Sequence, residues 1–263
     1  MSLRIQHNVA ALNAHRQLTD ASEKVKKSME RLSSGYRINR AADDAAGLAI
    51  SERMRSQVRG LNQAGRNIQD GVSLVQTAEG NLDEVHSMLQ RVRELAVQYK
   101  NGTLSESDKS ALQTEVNQLA SEIERIGASA KFNGVTLLAD EDGLVTFQVG
   151  VNDGDEITFS TISLADKLGT ITDLDDIEAI DDAISAVSEA RASFGAVQNR
   201  LEHALTSTQV YAENLTAAES RIRDVDMAAE MVNLTKNQIL QQAGTSMLAQ
   251  ANQAPQSILS LIR

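Results

Sequence analysis

The chain has no cysteine and no tryptophan, and its 263 residues include a single proline, Pro255. Without cysteine there is no disulfide framework, no thiolate zinc site and no cysteine nucleophile. Aromatic residues make up 3% of the chain, as four Phe and three Tyr. A compact core of this size normally carries more ring mass, because each ring buries a large area. With one proline, almost nothing forbids long helices. Positive charge is also short: 25 Lys and Arg stand against 36 Asp and Glu, a net charge of −11. Nucleic acid and anionic membranes both require clustered Lys and Arg, so neither is an expected partner. No apolar run approaches the roughly 18 residues of a membrane span. The opening "MSLRIQHNVAALNAHRQ" lacks the continuous apolar core of a secretory signal peptide. The expectation is a protein that is cytoplasmic or leaves the cell by a route that reads something else.

What the chain does have is helical periodicity, with apolar residues recurring at steps of three and four. A first helix is predicted from Leu3 to Tyr36, with Ile5, Val9 and Leu12 starting its stripe and Ser33-Ser34-Gly35 as its stop. A second is predicted from about Asp44 to Tyr99. There Met54, Val58, Leu61, Ile68, Val72, Val75, Leu82 and Leu89 sit on one seven-residue repeat, with Gly65, Glu79 and His86 as exceptions. Such a helix is roughly 80 Å long. Gly60, Gly65, Gly71 and Gly80 lie inside it, each costing up to about 1 kcal/mol relative to Ala; the expectation is that neighbouring backbones approach closely there. A turn at Lys100–Thr103 leads to a capping box on Ser105 and Asp108, and a third helix carries Leu112, Val116, Leu119, Ile123 and Ile126 before Gly127 ends it.

From Lys131 the period changes. "FNGVTLL" puts Asn-Gly between apolar residues, a turn signal. "LVTFQVGVNDGDEITFS" alternates about Asn152-Asp153-Gly154-Asp155 and reads as a β-hairpin, with Phe147 and Val149 on one arm and Ile157 and Phe159 on the other. A final helical segment runs from Asp176 to Arg263. Ile180, Ile184, Val187, Phe194, Leu201, Leu205, Leu215 and Ile222 hold its register, with Arg191 among the polar exceptions, and the stripe shifts after Ile222. The fold class is therefore mainly α: an antiparallel coiled-coil rod of long helices with a small β-hairpin region in the middle of the chain. The terminal segments are apolar on more than one face, which one hairpin of helices cannot bury. The exposed strip that remains marks an association surface, and a head-to-tail contact that does not close gives an open filament.

Several stretches then become specific. "LSSGYRINRAADDAAGLAISERMR", "QDGVSLVQTAEGNL", "LQRVRELAVQ", "FNGVTLL", "ENLTAAESRIRDVDMAAEM" and the C-terminal "MLAQANQAPQSILSLIR" closely resemble bacterial flagellin, over nearly the whole chain except about Ala139 to Ile177. Tyr36 stands where many flagellins have Leu. The resemblance implies a short flagellin without large outer domains. It implies an inner-core helix over 1–40, a spoke and helix start over 41–56, rod helices over 57–138, the hairpin region over 139–176, a C-terminal rod helix over 177–224 and a second inner-core helix over 225–263. It also implies an extracellular homopolymer, exported through the flagellar type III channel and assembled with a filament cap and hook-junction proteins. A hook–filament junction protein, which shares the terminal helices, is the alternative. An enzyme is not expected, since the middle carries no catalytic motif, nor is a cofactor.

The candidate subunit-contact residues are Ile5, Val9, Leu12, Arg37, Arg40, Asp43, Asp44, Val232, Ile239, Leu248 and Leu261. Asp43 and Asp44 invite a metal or hydrolytic reading, but no His or third carboxylate is placed nearby, and one of them capping the long helix is the better reading. His7, His15, His86 and His203 form no ligand motif. By resemblance, Arg91, Leu95 and Glu115 match positions at which many flagellins contact the vertebrate Toll-like receptor for flagellin. The C-terminal helix resembles the part bound by the flagellin export chaperone, with Val232, Ile239, Met247, Leu248, Ile258 and Leu261 as candidate contacts.

Overall fold

The computed structural model describes residues 7–139, 143–164 and 172–262, with side chains as far as residue 253. Its elements in order are α1 (Val9–Ser34), α2 (Ala45–Tyr99), α3 (Glu106–Ser129), β1 (Lys131–Phe132), β2 (Val135–Thr136), β3 (Leu144–Gln148), β4 (Glu156–Ser160), α4 (Ile177–Arg223) and α5 (Met227–Ile262). They form two compact units, one of residues 57–214 and one of residues 1–56 with 215–263, so the boundary falls inside α2 and inside α4.

In the first unit the heptad reading holds. Leu61, Ile68, Val75, Leu82 and Leu89 of α2 are all 3% exposed or less, as are Ile180, Val187, Phe194 and Leu201 of α4. The two helices run antiparallel: Arg93 meets Asp181, Arg191 meets Asp83, and Gly65 lies near Leu205. Two polar exceptions to the stripes answer each other, since Arg191 reaches Asp83 at 2.9 Å and Glu79 at 3.7 Å. α3 starts on the capping box read from the sequence: the Ser105 backbone N–H donates to Asp108 at 3.1 Å, and the Asp108 N–H donates to the Ser105 hydroxyl oxygen at 3.3 Å. α3 does not stop at Gly127. It continues to Ser129, and Gly127 is buried beneath Leu164.

The predicted turn and hairpin both form. Asn133 and Gly134, at φ 47° and 85°, connect β1 to β2; two positive-φ residues match the right-handed twist of the flanking strands. β3 and β4 pair antiparallel with Phe147 opposite Ile157 and Val145 opposite Phe159. Phe159 is fully buried, its ring 4.7 Å from that of Phe194 on α4. The Thr208 hydroxyl donates to Val149 O at 3.2 Å and the Asn67 amide to Gln148 O at 3.4 Å, so the hairpin is hydrogen-bonded to both long helices. Two of the α2 glycines are explained here. A Cβ at Gly71 would stand 3.1 Å from the Phe147 ring, and one at Gly60 would collide with Val151. The hairpin's side chains require them, not a neighbouring backbone as the sequence suggested; Gly80 has nothing within 4 Å.

In the second unit α1 and α5 run antiparallel: the Asn8 amide donates to Ala251 O at 2.7 Å, Gly244 lies against Leu18, and Ser28 meets Glu230. α1 ends on Gly35 at φ 75°, whose N–H donates to Arg31 O at 2.9 Å, a left-handed cap that glycine adopts without a Cβ clash. The segment read as periodic from Asp176 to Arg263 is two helices. The break falls at residues 224–226, where the stripe shifts, and Asp226 caps α5 by accepting from the N–H groups of Ala228 and Ala229 at 2.9 and 3.0 Å.

Candidate assembly surface

The α1–α5 pair is packed through a narrow seam that mixes small, polar and apolar positions. Along α1 as far as Ser28 the half-buried or buried residues are Ala11, Ala14, Leu18, Ala21, Val25 and Ser28, spaced by three and four. Along α5 they are Glu230, Leu234, Asn237, Gln241, Gly244, Leu248 and Ala251, with the same spacing. The seam's small side chains allow close approach, and Leu18, Val25, Leu234 and Leu248 supply most of the apolar area it covers. Its anchor is polar: the Ser28 hydroxyl donates to Glu230 at 2.5 Å, and Arg31 stands 3.5 Å from the other carboxylate oxygen. Ser28 and Glu230 are both buried.

Further large apolar residues lie outside the seam. Val9, Leu12, Met231, Val232, Ile239, Leu240 and Met247 are 50–68% exposed. Four of the sequence-derived contact residues, Val9, Leu12, Val232 and Ile239, are thus on open surface. Leu248 falls on the seam between Gly244 and Ala251 and is half-buried there. Ile5 and the side chains of Ile258 and Leu261 lie outside the described residues. Sequence reading missed the Ser28–Glu230–Arg31 anchor. Its only trace is the three-and-four spacing of small and polar residues beside the apolar stripe.

The two aspartates of "RAADD" have separate structural tasks. Asp44 accepts from the Gly47 N–H at 2.8 Å and so caps α2. Asp43 accepts from the N–H groups of Asn39 and Arg40 at 3.3 and 3.2 Å and pairs with Lys27 at 2.6 Å. The Lys27 hydrogen bond holds the Asp43 carboxyl below the usual carboxylate range, with the backbone donors adding to it. Arg40 pairs with Glu30 at 2.9 Å, and Arg37 donates to Ile222 O at 2.6 Å and, through its backbone N–H, to Arg223 O at 2.7 Å. Arg223 lies 4.8 Å from the centre of the Tyr36 ring and 2.6 Å from Glu52, whose carboxyl is lowered chiefly by that hydrogen bond. Arg37, Arg40, Asp43 and Asp44 therefore all have partners within the chain. These groups fix a turn and a helix start, and nothing in their geometry presents a nucleophile or a proton-transfer pair.

Of the three residues matched to the receptor site, two are at the surface. Arg91 makes hydrogen bonds of 3.1 and 3.0 Å to Glu115 and one of 3.2 Å to Glu94. These carboxylates raise the guanidinium's pKa above its ordinary value, Glu115 most. Leu95 is 1% exposed and packs with Val92, Ala96, Val116, Leu174 and Ile180. Its side chain is core in this chain.

Among the described residues no group of three or more His, Cys, Asp or Glu is placed to hold a metal ion, and no helix is long and apolar enough to cross a membrane. Residues 5–142 match the family model of the bacterial flagellin N-terminal helical region, and residues 177–262 match that of the bacterial flagellin C-terminal helical region. The flagellin of Halalkalibacterium halodurans is 54% identical over 98% of this chain and 99% of that protein. The flagellar filament 33 kDa core protein of Treponema phagedenis is 50% identical over 98% and 99%, and the flagellin of Bacillus subtilis is 47% identical over 99% and 100%. These full-length matches favour the filament subunit over the junction protein. With both helical regions matched and relatives aligned from end to end, the chain belongs to the bacterial flagellin family, the structural, non-enzymatic subunits that polymerise head to tail into the helical filament used for swimming.

Proposed function

We propose that this flagellin builds its filament chiefly through the outward faces of α1 and α5, with residues 1–40 and 225–263 as inner-core helices, 41–56 as the spoke, 57–138 and 177–224 as rod helices, and 139–176 as the hairpin region. The observation that carries this is the second, unpartnered apolar face of the terminal helices: the α1–α5 seam half-buries Leu18, Val25, Leu234 and Leu248 among small and polar residues, while Val9, Leu12, Val232 and Ile239 stay exposed. An apolar strip left open by the isolated chain fits coverage by further copies of it.

The same face of α5 suits the export chaperone. An amphipathic helix offering Val232, Ile239 and Met247 fits a groove, and masking it before export would hold subunits apart. Export then proceeds through the flagellar type III channel, and growth continues under the filament cap from the hook-junction proteins. One truncated chain tests both roles of α5. Wild-type monomer given short seeds grows micrometre filaments, followed by light scattering and electron microscopy. The chain lacking residues 227–262 neither grows nor retains the chaperone in a pull-down. Growth by the truncated chain would refute the assembly role, and undiminished chaperone capture would refute the docking role.

Where a vertebrate host meets the bacterium, we propose that Arg91 and Glu115 contact the Toll-like flagellin receptor, with Leu95 beneath them as support. The expected result is a loss of about tenfold in reporter signal for Arg91→Ala, the scale of one charge-assisted contact. A signal equal to wild type would remove Arg91 from the site.

A further inference from the structure

Sulfur is unevenly distributed over this molecule. The chain has no cysteine and no tryptophan, so its seven methionines are its most readily oxidised side chains. Met54 and Met88 are half-buried. Met29, Met227, Met231 and Met247 are 57%, 49%, 50% and 62% exposed, and all four lie on α1 or α5. The Ser28–Glu230 hydrogen bond sets Met29 and Met231 at one level of the helix pair, and Met227 is one turn from Met231. Met231 lines one open surface groove with Val232, Ile239 and Leu240.

We propose that Met29, Met227, Met231 and Met247 are oxidation-sensitive sites on the terminal helices, through which peroxide withdraws a free subunit from polymerisation while subunits already in the filament are shielded. The proposal rests on the reading of the outward faces of α1 and α5 as subunit contacts. In the step itself, the thioether sulfur attacks one oxygen of hydrogen peroxide. An S–O bond forms, the O–O bond breaks, and the departing hydroxide takes a proton to leave as water. Sulfur is oxidised by two electrons and the peroxide is reduced. The product is a polar, chiral sulfoxide where the contact needs a flexible apolar chain. The change is reversible: a sulfoxide reductase working with a dithiol returns the thioether, water and a disulfide.

The test treats free subunits and finished filaments of the full chain with the same dose of hydrogen peroxide. Sulfoxide is mapped residue by residue by mass spectrometry, and the seeded elongation rate is measured. Free subunits should oxidise first at these four positions and elongate at least about tenfold more slowly, and reductase should restore the rate. The same four should oxidise at least about tenfold more slowly in filaments, as expected of thioethers removed from solvent. Equal oxidation in filaments and free subunits would overturn the contact reading and the proposal with it. Protection in filaments combined with undiminished elongation by fully oxidised subunits would overturn the oxidation proposal alone. A chain carrying Met29→Leu, Met227→Leu, Met231→Leu and Met247→Leu is compared with its own untreated rate, and a peroxide loss as large as that of wild type would place the damage elsewhere and overturn the proposal. The dose series on wild type gives the same decision without that variant: loss of elongation must track sulfoxide at these four positions, and tracking Met54 or Met88 instead is a refutation.

Discussion

Aspartate at Val232 and Ile239 leaves the free subunit folded and stops filament growth. The two side chains are 68% and 60% exposed in the chain alone, so replacing them removes little that the subunit buries by itself. Surface changes of this kind shift stability by no more than about 0.5 kcal/mol. In the polymer the same positions would be covered, and each carboxylate would be desolvated without a partner, a cost of several kcal/mol. Seeded elongation of Val232→Asp, Ile239→Asp and the double variant should therefore fall by more than about 100-fold while the urea midpoint by circular dichroism stays in place. Growth of the double variant at the wild-type rate would mean that this face of α5 points at nothing in the filament. A midpoint that collapses along with growth would mean that the two residues serve the fold.

The contrast between exposed and buried apolar residues also explains what the sequence made legible. In residues 57–214, periodicity and burial coincide: the heptads of α2 and α4 face each other, and even the exceptions Glu79 and Arg191 meet. Turn chemistry was equally readable, because Asn133-Gly134, the Asn152–Asp155 turn, and the Ser105 and Asp108 caps act within a few residues of themselves. The terminal helices are different. A stripe such as Val232 and Ile239 reads as a buried face by period alone, yet in the free chain it is the outside, and the seam mixes Ala, Ser, Gly, Asn, Gln and Glu with Leu18, Val25, Leu234 and Leu248. Periodicity says that a face will be covered. It does not say whether the same chain or another copy covers it. The burial of Leu95 and Leu248 is hidden from the sequence for a related reason: a resemblance transfers residue type, while exposure depends on packing against Val116, Leu174 and Ile180 in one case and on the α1 seam in the other.

Phe159→Ala should be the most damaging single change to the fold of residues 57–214. The ring is fully buried, sits opposite Val145 across the hairpin and lies 4.7 Å from Phe194 at a tilt of 48°. A chain with four phenylalanines has few other rings to fill the space. Its hairpin has two strands of five residues, too small to persist in water by itself. The hairpin holds through Phe147 over Gly71, Phe159 against Phe194, and the two hydrogen bonds from Thr208 and Asn67. Truncating Phe159 leaves a cavity that a continuous α4 cannot collapse to fill, so the expected loss is about 3–5 kcal/mol. Urea unfolding of the monomer measures it, and hydrogen exchange should show β3 and β4 opening ahead of α2 and α4. Phe159→Leu should recover more than half of the loss, since it restores apolar volume without the ring contact. A loss below about 1 kcal/mol for the alanine variant would mean that the hairpin is held by its hydrogen bonds and not by this ring.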